Sequence, residues 1–98
     1  MNNAPAHDAN NPIRLVPIEE VQAILAASSR ANIYSRFARG LLPAPVKFGK
    51  ATAIPSNELE QIVVAHIAGA TDAQIAELVR QIHARRPQTP IIEQRHAA

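Results

Sequence analysis

Apolar positions recur at helical spacing in four stretches of this chain and alternate in one short stretch between them. Ile18, Val21, Ile24 and Leu25 mark one face of a first helix that ends near Ala26; Pro17 suits its first turn, and Glu19 and Glu20 complement the helix dipole there. Ser28 and Ser29 supply caps for a second helix, in which Ile33 and Phe37 share a face while Arg30, Ser35, Arg36 and Arg39 leave the other faces polar. Gly40 supplies its stop. Only a few residues separate the two helices, which is the spacing of a helix-turn-helix.

Two prolines interrupt the stretch from Leu41 to Pro45. After it Val46, Lys47 and Phe48 alternate, Gly49 and Lys50 offer a turn, and Thr52, Ala53 and Ile54 return before Pro55. This pattern predicts a small β-hairpin, or wing, with Lys47 pointing opposite to Val46 and Phe48. Ser56 is placed to cap a third helix with Glu58 in its first turn, and Leu59, Ile62, Val63, His66 and Ile67 fall on one face before Gly69. Thr71 with Gln74 forms a capping box for a fourth helix, where Ile75, Leu78, Val79 and Ile82 make another stripe before Pro87 forbids continuation. The expected fold is mainly α with a small β-hairpin, a winged helix-turn-helix with an extra C-terminal helix. The expected organisation is a disordered tail over 1–12, the winged domain over 13–69, a helix over 70–86 that folds back or dimerises, and a flexible tail over 87–98.

Composition sharpens this picture. The chain has 98 residues, enough for one small core. Alanine accounts for 19 of its 46 apolar residues, and Tyr34, Phe37 and Phe48 are its only aromatics, so the core is thin and aliphatic. With no cysteine, a disulfide framework, a thiolate zinc site and a cysteine nucleophile are excluded. No apolar run is long enough to enter a membrane, and the polar start lacks a secretion signal, so the expected location is the cytoplasm, on the nucleoid when bound to DNA.

The net charge of +2 says little until it is resolved along the chain. No acidic residue lies between Glu20 and Glu58, yet Arg30, Arg36, Arg39, Lys47 and Lys50 all do, so this middle carries +5 and the remainder −3. A one-sign stretch across a helix and a hairpin is the footprint of a polyanion partner; a solvated basic face gives the same pattern.

Candidates for catalysis are few. His7 and His96 fall in the tails, and His66 and His83 sit on separate helices without a second ligand at metal spacing. The acid pairs Glu19/Glu20 and Glu58/Glu60 are explained by helix first turns, and His66 reads best as a core-edge histidine bonded to a backbone carbonyl. Gly40, Gly49 and Gly69 are too scattered to build a phosphate loop. No cofactor, metal or enzymatic activity is expected.

A nucleic-acid interface draws more of the chain together. The start of the second helix, Ser29 to Asn32, would face the major groove, where Asn32 suits adenine and Arg30 and Arg36 suit guanine or phosphate. Tyr34 fits either packing at the helix edge or a phosphate bond. Lys47, and Lys50 at the hairpin tip, could meet backbone or minor groove. The expected DNA-binding set is Ser29, Arg30, Asn32, Tyr34, Ser35, Arg36, Arg39, Lys47 and Lys50.

The run Ser29-Arg30-Ala31-Asn32-Ile33-Tyr34-Ser35-Arg36, followed by Gly40 and by Pro43-Ala44-Pro45-Val46-Lys47-Phe48-Gly49, resembles the AlpA family of prophage regulators. That family is similar in its Ser-Arg-x-[Ser/Thr]-Ile-Tyr helix and its Phe-Pro-x-Pro-Val-Lys-[Leu/Phe]-Gly approach to the wing, where this chain has Leu42 for the first Phe; the resemblance covers about Ile13 to Gly69. Asn32 stands where the family has Ser or Thr, Ser35 where a basic residue is frequent, and Ile54 where the family has tryptophan. The resemblance implies a sequence-specific regulator of a prophage or mobile element binding double-stranded DNA, or an excisionase acting beside an integrase. A homodimer or cooperative multimer on DNA is the expected assembly. The competing class is a protein-interaction adaptor working through its C-terminal helices, with the fourth helix and Val64 as its surface.

Overall fold

The computed structural model describes residues 12–87. Seven elements follow in order: β1 (Leu15–Pro17), α1 (Ile18–Ile24), α2 (Arg30–Ala38), β2 (Val46–Phe48), β3 (Ala51–Pro55), α3 (Ser56–Ile67) and α4 (Asp72–Arg85). The architecture is mainly α with a small antiparallel sheet, as the hydrophobic pattern requires.

The sheet has one strand more than a hairpin. Its order is β1-β3-β2, and β1 pairs antiparallel with β3 in the register Val16 to Ile54. Both residues are buried, so the added strand brings Val16 onto the core side of the central strand. The ladder continues through the backbone of Arg14 and Ser56: the Ser56 amide donates to the Arg14 carbonyl, and the Arg14 amide donates to Ser56 Oγ at 2.9 Å. Ser56 is therefore not the cap of α3. Pro55 holds that position without a side-chain bond, and the Ser56 hydroxyl serves the sheet. Pro17, expected in the first turn of α1, closes β1 and takes the N-cap position of α1.

The C-terminal ends of α1, α2 and α3 follow one rule. At Gly40 and Gly69 the chain turns with positive φ, and paired backbone bonds satisfy the last carbonyls: Gly40 to Phe37 with Leu41 to Arg36, and Gly69 to His66 with Ala70 to Ala65. α1 ends in the same motif, Ala26 to Ala23 with Ala27 to Gln22, but the left-handed position is held by Ala26 at φ 53°. The α2 cap is Ser29, whose Oγ accepts from the Asn32 amide at 3.1 Å, and the Thr71/Gln74 capping box is present on α4.

One aliphatic cluster unites Val16, Ile18, Val21, Ile33, Leu42, Ile54, Leu59, Ile62, Ile75, Val79 and Ile82. Every element but β2 contributes to it. The α4 stripe is thus spent on the core, with Ile75, Val79 and Ile82 buried and Leu78 packed alongside. The α3 stripe outruns its cover: Leu59 and Ile62 are buried and Val63 is half-buried, but His66 is exposed and Ile67 is 81% exposed. The expected apolar setting of His66 is therefore corrected. Among the described residues no helix is long and apolar enough to cross a membrane.

Candidate nucleic-acid interface

α2 is a nine-residue helix held to the core by Ile33, with Phe37 packed beside it. At 3.6 residues per turn the other positions sort by angle from that inward side. Arg30 and Tyr34 form one flank, Asn32 and Arg36 the other, and Ala31, Ser35 and Ala38 face away. The contacts match this sorting: the Arg30 guanidinium lies 5.9 Å from the Tyr34 ring centroid, and Arg36 Nε donates to Asn32 Oδ1 at 3.0 Å. Tyr34 is half-exposed and meets Phe37 edge-on, centroids 5.7 Å apart, so its ring packs at the helix edge while one side of it faces solvent. The expected set on α2 is therefore two flanking pairs with Ser35 between them.

Acids from outside the basic stretch fold back onto it. Glu19 of α1 accepts from Arg30 at 3.0 Å, and Asp72 of α4 accepts from Arg39 at 3.2 Å. The Glu19 carboxyl is held below its ordinary value, first by a hydrogen bond from its own backbone and then by the Arg30 charge. Both pairs are exposed, so each contributes little and a phosphate can replace its carboxylate. Arg36, Lys47 and Lys50 have no carboxylate partner among the described residues.

The hairpin expected from the sequence is the β2–β3 ribbon. Val46 pairs with Ala53, Lys47 with Thr52 and Phe48 with Ala51, leaving Gly49 and Lys50 as a two-residue turn. Gly49 has φ 62°, which a side chain resists, and it occupies the first central position of the turn. Lys47 Nζ donates to Thr52 Oγ1 at 3.4 Å, and both lysines are exposed. Val46 is half-buried as its alternation predicts, whereas Phe48 is 73% exposed.

Comparison with protein-family models, curated proteins and solved structures returns no match for this chain.

A polar clamp that no local sequence pattern announces fixes the approach to β2. Glu58 is buried in the first turn of α3 and accepts two bonds from Arg86, at 2.9 Å from Nε and 2.6 Å from Nη2. Its role extends beyond the helix dipole. The Arg86 guanidinium is held above its ordinary value, first by the hydrogen bonds to Glu58. Arg86 also donates to the Ala44 carbonyl at 2.7 Å, while His83 Nε2 accepts from the Ala44 amide at 2.9 Å. Ala44 lies between Pro43 and Pro45, directly before β2, so the end of α4 grips the segment that leads into the hairpin. These partners are 28 to 42 positions apart, and no local spacing signals them. Among the described residues no group of His, Asp and Glu could hold a metal; His7 and His96 lie outside them.

Proposed function

We propose that this chain is a winged helix-turn-helix protein that binds double-stranded DNA and regulates genes of a prophage or other mobile element. The single observation that carries the reading is the helix α2 itself: it is anchored by Ile33, capped by Ser29, and presents Ser35 outward between the flanking pairs Arg30/Tyr34 and Asn32/Arg36, with no acidic residue of its own. In this reading Ala31 and Ser35 approach base edges, while Arg30 with Tyr34 and Asn32 with Arg36 meet the two walls of the major groove. Ser29 and Arg39 hold phosphates at the ends of the helix, and Lys47 and Lys50 do so from the wing. The resemblance of Ser29–Arg36 and Pro43–Gly49 to the AlpA regulators supports the same reading, with excision beside an integrase as the related role.

Of the surface the adaptor reading names, the α4 stripe is buried and Val64 is exposed. An electrophoretic shift on duplexes selected from a random pool tests the DNA reading. Replacing both Arg30→Ala and Arg36→Ala removes two contacts to the groove walls and should reduce affinity about tenfold or more. Unchanged specific affinity would contradict the assignment of α2.

A further inference from the structure

Phe48 is a large apolar side chain that the fold does not use. It ends β2, the one element that gives nothing to the core, and it is 73% exposed. Its cross-strand partner is Ala51, too small to cover a ring, and the next residue is the turn glycine. A polar residue would keep the same strand pairing without leaving a phenyl ring in water.

The surroundings narrow what could cover it. Lys47 precedes the ring and Lys50 follows it at the turn, both exposed, and the chain carries no acid between Glu20 and Glu58. A Cβ built at Gly49 would meet nothing within 4 Å, so the tip is thin and unhindered. An apolar wedge flanked by cations on a narrow ribbon is complementary to a base step bounded by phosphates. Such wedges enter the minor groove, separate adjacent stacked bases and kink the duplex, while neighbouring basic residues hold the backbone.

We propose that Phe48 is a stacking wedge that opens a base step in the DNA bound by α2; the proposal rests on the DNA-binding reading above. Insertion bends the duplex beneath the wing. It also gives the protein a preference it never reads by hydrogen bonds, for flexible pyrimidine–purine steps such as TA and CA at that place.

The chain has no tryptophan, so Phe48→Trp places a single indole at the proposed wedge. The full chain carrying it is titrated at low salt with a mixed-sequence duplex and with a duplex holding a central TA step. Stacking predicts a several-fold fall in indole emission and shielding from acrylamide on both duplexes, greater on the TA duplex. Phe48→Ala should bind about tenfold more weakly. Its salt slope should equal that of the unaltered chain, whereas Lys47→Ala should flatten the slope by about 1. Circular dichroism of each variant should match the unaltered chain, because position 48 lies outside the core. If the chain binds duplex but the indole stays bright and accessible, or Phe48→Ala binds equally well, the wedge is wrong and the DNA reading stands. Failure of the unaltered chain to bind either duplex at low salt would overturn both. A change in mass on light scattering for Phe48→Ala, with unchanged DNA affinity, would assign the ring to contact between copies and also overturn the proposal.

Discussion

Single residues carry two informative departures from what their neighbours do. Ala26 occupies, at φ 53°, the helix-end position that glycine fills after α2 and α3. An L side chain in that region is disfavoured by roughly 1 kcal/mol, some of which glycine returns as added freedom in the unfolded chain. Ala26→Gly should therefore stabilise the protein by about 0.5–1 kcal/mol, read as a rise in Tm of about 3–6 °C. An unchanged or lower Tm would count against the turn. The second departure is the contact between Glu19 and Arg30, which competes with any phosphate for the guanidinium. Removing that carboxylate by Glu19→Gln should tighten DNA binding by up to about fivefold, measured by fluorescence anisotropy, with the gain fading at high salt. Weaker binding would mean that the pair positions Arg30 for contact.

At the scale of elements, α4 belongs to the core. Ile75, Val79 and Ile82 fill the cluster, and Arg86 just past the helix neutralises Glu58, which is buried in α3. Ending the chain at Gly69 removes all of these and exposes the apolar side chains that α4 covers, a loss above the few kcal/mol that a small domain has to spare. Such a chain should show no cooperative thermal transition by circular dichroism, and a retained sharp transition would contradict the packing. Arg86→Ala, which keeps the apolar contacts, should lower stability by about 2–3 kcal/mol in urea unfolding.

The helices were legible because each has a repeating stripe and a chemical stop: Ser29 and Gly40 bracket α2, and Thr71 with Gln74 opens α4. β1 was not legible, since three residues ending in Pro17 cannot display an alternation and their partner in β3 lies some forty positions away. The Ser56 cap failed for a related reason, because a long-range ladder took the hydroxyl that local preference assigned to α3. Ile67 was placed inside by periodicity, but whether a stripe is covered depends on how far its neighbours extend.

For the whole molecule, the central matter is where the charge lies once the chain is folded. Along the sequence the middle reads as an uninterrupted +5, and nothing local shows that Glu19 and Asp72 would return to two of its five bases. What persists is a basic surface with Arg36, Lys47 and Lys50 free of carboxylate partners among the described residues, and with Arg30 and Arg39 held in exposed pairs that a phosphate can replace. The candidate residues on α2 were legible by type and order. Their division into two flanks, and the isolation of Phe48, required the fold.

The account is tested most directly by the salt dependence of duplex binding by the full chain. Each neutralised phosphate contributes about −0.9 to the slope of log affinity against log salt, so a monomer using its five central bases should reach about −4 to −5. That slope should shrink by about 2 when Arg30 and Arg36 are both replaced by alanine. A flat salt dependence, or a steep one that the double replacement leaves intact, would contradict the assignment of α2 and the wing as the DNA-binding surface.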